Sequence, residues 1–378
     1  MYDAAAFAPG HISGFFGVYD SHPHGALRGS RGGGVCIDRG AWSRISLSDD
    51  GRIRVFVDGE ESSAPVTRLA LSMMLGDREM GVDVDIRLDL PLGQGFGMSS
   101  AGTLASAVAL GSVLQGDVSP DPLTCTHLAE VAMRTGMGDA VAQSLGGLVI
   151  REREGLPPRG IARRADCGEF VICVVGEPIS TRDMLGRDDV LDRTREASSG
   201  LLPVLSSRLD MNTFVMLSRR FAEETGLVTQ SVRAALDAVD KLASGSMVML
   251  GNAVFCDGGK EVMDALSAFG DPVVVRASDG ARVVDLSQFP AGEGADGSLT
   301  GGKGTGSVEE DDLRVKAHHP GGDVKLKASG FRRSEEDEDA PGHVIDILER
   351  TLDHRVPDAD SGEDTDGECD AGENEEEN

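Results

Sequence analysis

The run Pro91-Leu92-Gly93-Gln94-Gly95-Phe96-Gly97-Met98-Ser99-Ser100-Ala101-Gly102 constrains this 378-residue chain more than any other segment. Ahead of it, Val82 to Leu90 alternates apolar and charged residues with the two-residue period of a half-buried strand. Behind it, Leu104, Ala105, Ala107, Val108, Ala109 and Leu110 continue without Gly or Pro as far as Gly111, which is the habit of a helix. A strand, a glycine loop and a helix N-terminus in that order converge backbone N–H groups on one point, where an anion such as phosphate is held. The glycines give the positive φ angles and close backbone approach such a cradle needs. A ligand-free turn between strand and helix is the plain alternative, and the paired serines argue against it.

Two common nucleotide motifs do not fit. A P-loop needs Gly-Lys-Ser/Thr, and the first lysine of the chain is Lys241. A dinucleotide fingerprint needs G-x-G-x-x-G, whereas this loop reads G-x-G-x-G followed by Met-Ser-Ser.

The loop instead resembles the P-x-G-x-G-x-G/S-S-S-A signature of the GHMP small-molecule kinases. Other segments fall in the order of that family. Ala8-Pro9-Gly10-His11 stands where an Ala-Pro-Gly-Lys motif is usual, with His11 in place of the lysine. Arg134 to Ile150 resembles the family's glycine-Asp stretch ahead of a Gly-Gly strand, and Ala243 to Asn252 resembles, weakly, its third glycine motif. With Gly29-Ser30-Arg31-Gly32-Gly33-Gly34, read as a turn, and His127-Leu128-Ala129-Glu130, the set is similar to the archaeal pantoate kinase branch, from about residue 4 to 290. That resemblance implies ATP-dependent phosphorylation of the primary hydroxyl of pantoate, on the archaeal route to coenzyme A. It also implies an α+β fold, with a ribosomal-protein-like sandwich over 1–155, a ferredoxin-like one over 156–290, and ATP between them. Two other readings stay open: a GHMP kinase for homoserine, shikimate or mevalonate, and a non-catalytic regulator that binds a nucleotide or metabolite.

Residue roles follow by the same resemblance. Pro91, Gly93, Gly95, Gly97, Met98, Ser99, Ser100 and Ala101 would hold ATP. Ser100 offers a hydroxyl and Glu130 a carboxylate to magnesium, both oxygen ligands suited to a hard cation. Asp139 would be the general base or would orient the acceptor hydroxyl. For the acceptor pocket the candidates are Ser30, His127, Arg151 and Arg182, the arginines because a carboxylate favours bidentate pairing. Arg153 competes with Arg151 for that place, and His127 competes with a plain core histidine.

Composition limits the partners. A net charge of −28 repels nucleic acid and anionic membrane alike. Six lysines against thirty arginines, with this acidic excess, resemble salt-loving archaeal proteins, so high salt is expected to be needed for stability. The six cysteines form no C-x-x-C pair and sit in mostly apolar settings, as small core residues do. No signal peptide or apolar run of ~20 residues is apparent, which predicts a cytoplasmic protein. The resemblance leaves room for a homodimer. Over 291–378 a glycine-rich, acidic composition predicts a largely disordered tail, with a short amphipathic helix over 344–352.

Overall fold

The computed structural model describes residues 2–114, 119–179 and 187–291, with the backbone of 315–316 and 327–328. The expected tail helix at 344–352 therefore lies outside the described residues.

One sheet has eight strands: β1 (Ala4–Tyr19), β2 (Gly29–Ser48), β3 (Ile53–Val57), β4 (Glu60–Ser62), β5 (Gly81–Leu88), β6 (Leu148–Arg153), β7 (Ile161–Ala165) and β12 (Arg282–Val284). Its order is β12-β1-β2-β5-β3-β4, and the first half of β2 also pairs β6, which pairs β7. All pairings are antiparallel except β3 with β5. Four helices belong with this sheet: α1 (Pro65–Leu75), α2 (Met98–Val113), α3 (Pro122–Met133) and α4 (Asp139–Leu145). Helix α2 lies on β1, β2 and β5, while α1 and α3 pack on α2. Since α2 is buried nearly all round, it reads as a continuous run of small and apolar residues rather than as an amphipathic stripe.

A second sheet comprises β8 (Glu169–Val174), β9 (Gly245–Met247), β10 (Ala253–Cys256) and β11 (Val273–Arg276), in the order β11-β8-β10-β9 and antiparallel throughout. Helices α5 (Asp188–Ser207), α6 (Met211–Thr225) and α7 (Gln230–Val239) fall between its first two strands, and α8 (Lys260–Leu266) between its last two. Numbered along the chain, the order is 4-1-3-2 with a βαββαβ succession, the ferredoxin-like arrangement. Phe15 and Phe16 of β1 meet Phe221 of α6, and Phe214 stacks on Phe255 of β10 at 5.5 Å, so one apolar core joins the two sheets. Burying each such phenylalanine is worth roughly 1.5–3 kcal/mol. This agrees with the expected GHMP architecture of two sandwiches. The boundary expected at 155/156 falls in the connection from β6 to β7, which pair with each other in the first sheet, and β12 also returns to that sheet, at the edge of β1.

Two local expectations change. Residues 29–34 are not a turn but the start of β2, and their glycines serve close packing. A Cβ on Gly32 would stand 2.1 Å from the Phe15 carbonyl oxygen, and one on Gly34 2.1 Å from Nε2 of His11. The apolar run Met247-Val248-Met249-Leu250 reads as a strand by sequence, but the strand ends at Met247, and Leu250 takes φ +64° in a turn that faces the glycine loop.

Candidate active site

The glycine loop is held between the two sheets. Backbone N–H of Ile179 donates to the Gly93 carbonyl (2.8 Å), and backbone N–H of His11 to the Phe96 carbonyl (2.8 Å). The buried Gln94 amide donates to the Gly176 carbonyl (2.8 Å) and accepts from Asn252 N–H (3.1 Å). Asn252, the last residue of the weak third motif, also donates its side-chain amide to the Glu177 carbonyl. That motif thus braces the loop from the second sheet. Gly95 has φ +79°, and a Cβ there would lie 2.4 Å from the Met249 carbonyl oxygen. Gly95→Ala is accordingly expected to destabilise the fold by about 1–3 kcal/mol and to raise KM for ATP. Thermal melts and ATP titration of the variant check this.

Gly97, at φ +63°, is the N-cap of α2 and puts Met98, Ser99 and Ser100 in its first turn. Helix N-termini leave such N–H groups without intrahelical partners, and here they open beside the loop. Ser100 is buried and its Oγ has no hydrogen-bond partner.

The carboxylates come from α3 and α4. Asp121 caps α3 by accepting from the N–H groups of Leu123 and Thr124, and Pro122 opens its first turn. Two turns on, Glu130 is 1% exposed, with Oε2 unpartnered. Asp139 starts α4. A Cβ on Gly136 would stand 2.5 Å from Asp139 Oδ2 and 3.5 Å from Glu130 Oε1, so this glycine is the gap between the two carboxylates. Burial and the neighbouring Asp139 charge push Glu130 well above the usual carboxylate range, against the pull of the Ala140 N–H and of the Ser100 hydroxyl, which lies near the carboxyl without meeting hydrogen-bond geometry. Burial acts the same way on Asp139 but is outweighed by His11 and Arg151, which hold its carboxyl below the ordinary value. With no cation between them, the pair carries its charge unevenly: the ionised form is favoured at Asp139 and disfavoured at Glu130.

Among the described residues no three His, Cys, Asp or Glu side chains form a metal cluster. One buried carboxylate and one orphaned hydroxyl suit magnesium, which takes few protein ligands and completes its shell with phosphate and water.

Arg151 lies within β6, 3% exposed, while Arg153 is exposed, so burial separates the two candidates. Its Nε has no partner. A Cβ on Gly138 would meet Ser30 Oγ at 2.2 Å and Arg151 Nε at 2.8 Å, which brings both groups to the start of α4 beside Asp139. His127 is fully buried on α3, a turn before Glu130, next to the backbone of Gly25 and Arg28. Arg182 lies outside the described residues.

Burial holds the His127 pKa down to about 4, against the backbone of Gly25 and Arg28. Below pH 6.5 the unfolded chain takes up this proton and the native one does not, so stability falls with acidification from about 6.5 to 4. The full difference is about 3 kcal/mol. His127→Gln is expected to flatten the pH dependence of the melting temperature across that window, and an unchanged slope would assign the loss to other groups.

Sequence reading gave His11 no role. It is fully buried, with Nδ1 2.6 Å from Asp139 Oδ1 and Nε2 3.5 Å from Arg151 Nη1. The signal was present as a histidine in the place of a basic motif residue, but its partner is 128 residues away.

A glycine cradle at a helix N-terminus, an orphaned serine, split carboxylates and a buried arginine on this two-sheet frame define a small-molecule kinase of the GHMP type. The family description "GHMP kinases N terminal domain" matches residues 66–147. Pantoate kinase of Methanospirillum hungatei is 31% identical over 288 residues, covering 74% of this chain and 95% of that protein. Pantoate kinase of Methanocaldococcus jannaschii is 29% identical over 269 residues, covering 71% and 98%. A solved structure described as a phosphotransferase related to the CoA biosynthesis pathway superposes with a TM-score of 0.67 at 26% identity, covering 75% of this chain and 98% of that one. The chain belongs to the pantoate kinase family. Among the described residues no helix is long and apolar enough to cross a membrane.

Proposed function

We propose that this chain transfers the γ-phosphoryl group of ATP to the primary hydroxyl of pantoate. The observation that carries the reading is the meeting of an ionised Asp139, a buried Arg151 and Ser30 beside the glycine loop, in a member of the pantoate kinase family. The loop and the first turn of α2 bind the phosphates through backbone N–H groups. Arg151 Nε and the Ser30 hydroxyl receive the acceptor's carboxylate and secondary hydroxyl, and Arg182 is a further candidate for the same charge. His127 supports that wall of the pocket from α3.

Asp139 accepts the proton of the primary hydroxyl as its oxygen forms the bond to the γ-phosphorus, while the bond from that phosphorus to the β,γ-bridging oxygen breaks and ADP leaves. Magnesium, held by Ser100 and Glu130, would neutralise charge on the β- and γ-phosphates.

The test is ADP release by the purified protein in molar KCl with ATP and magnesium, offering pantoate, pantothenate, homoserine, shikimate and mevalonate in parallel. Turnover confined to pantoate is expected. Turnover with another acceptor would retain the kinase and discard the pantoate pocket, and silence from folded, ATP-binding protein would move the weight to a regulator.

A further inference from the structure

His11 is a polar side chain with no exposure in the middle of a long buried strand, a costly arrangement unless its ring nitrogens are satisfied. Both nitrogens face charged groups drawn from other elements. Nδ1 is 2.6 Å from Oδ1 of Asp139 on α4, and Nε2 is 3.5 Å from Nη1 of Arg151 on β6. The backbone around the ring is equally determined. The β1–β2 register shifts between Pro9 and Gly10, a bulge that re-aims the following side chains, and the His11 N–H is tied to the Phe96 carbonyl of the glycine loop. Beneath the ring, Gly34 has no Cβ because one would lie 2.1 Å from Nε2.

These neighbours fix the tautomer. An ionised carboxylate accepts, so Nδ1 carries the proton, and a guanidinium donates, so Nε2 presents its lone pair. The opposite tautomer would set lone pair against carboxylate on one side and N–H against N–H on the other. We infer that His11, locked by Arg151 as the neutral Nδ1–H form, is a positioning residue that holds Asp139 by Oδ1 and leaves Oδ2, in the gap at Gly136, to face the acceptor hydroxyl. This rests on the proposed role of Asp139 as base. Burial, Asp139 and Arg151 are also what set the ring's titration, and the net direction is downward, consistent with a neutral imidazole.

Three substitutions separate this from simple packing. An Asn side chain places its amide N–H close to the position of Nδ1, a Gln near that of Nε2, and Ala offers neither. His11→Asn is expected to keep kcat within about tenfold of wild type, whereas His11→Gln and His11→Ala lose about a hundredfold, the effect of misplacing a reacting group by about 1 Å. KM for ATP and for pantoate should stay within about threefold in all three. Equal kcat for the three variants, or losses expressed in KM, would overturn the inference.

A second readout does not need turnover. Nitrogen-15 NMR of histidine-labelled protein, with the His11 signals assigned by their loss in His11→Asn, should report a protonated Nδ1 and a bare Nε2. A protonated Nε2 would sink the inference. Wild-type protein that fails to phosphorylate pantoate would refute the proposed function instead, and the tautomer would still decide the arrangement of His11.

Discussion

Asp139→Asn is expected to lower kcat by about 10²–10⁴, the range general-base catalysis supplies, with ATP affinity changed less than about twofold. The substitution is informative because it disturbs little else. The amide oxygen can still accept from Nδ1 of His11, so the 2.6 Å contact and the start of α4 should survive. What disappears is the capacity to take a proton. Removing the charge also takes the counter-charge from the buried Arg151, which with His11 holds the Asp139 carboxyl below its ordinary value, so the variant should melt somewhat below the wild-type temperature. Single-turnover kinetics, ATP titration and a thermal melt together check this, and undiminished turnover would remove the proposed base.

Glu130→Gln carries the second large effect. A bound cation at the transferring phosphates supplies several kcal/mol of charge stabilisation, so its loss should cost at least about a hundredfold in turnover at ordinary magnesium. Raising magnesium should recover part of it. Stability should not suffer, because burial and Asp139 both disfavour the charged form of this carboxyl, and the replacing amide carries no charge. The same titration on wild type and variant decides the point. Superimposable curves would take Glu130 out of the metal site.

Much of this site was legible in the sequence because its parts obey local rules. The loop announces itself by alternating glycines ahead of a helix, and the structure gives Gly93, Gly95 and Gly97 positive φ. Glu130 stood out as a charge among small and apolar neighbours, and it is indeed buried. Strands β8 and β11 were visible as the apolar runs Phe170 to Val175 and Val273 to Val275, whereas β10 was not singled out.

What escaped depends on contacts distant along the chain. The run 29–34, with four glycines, looks like a turn by composition, and its strand conformation follows from pairing with β1 and β6 and from α5 packing over Gly33. His11 became interpretable once Asp139 and Arg151 stood beside it. The bracing of Gln94 by Asn252 spans 158 residues and has no local signature. Separating Arg151 from Arg153, which would share a face in a regular strand, needed the register shift between them at the end of β6, where one is buried and the other exposed.

The central claim, phosphoryl transfer from ATP to the primary alcohol of pantoate, is tested most directly by identifying the product. A phosphorus–proton correlation NMR spectrum of a reaction containing the protein, ATP, magnesium and pantoate in molar KCl should show a new phosphate ester coupled to the CH₂O protons of pantoate, formed one for one with ADP. ADP accumulating without that ester, or an ester at the secondary hydroxyl, would contradict the account.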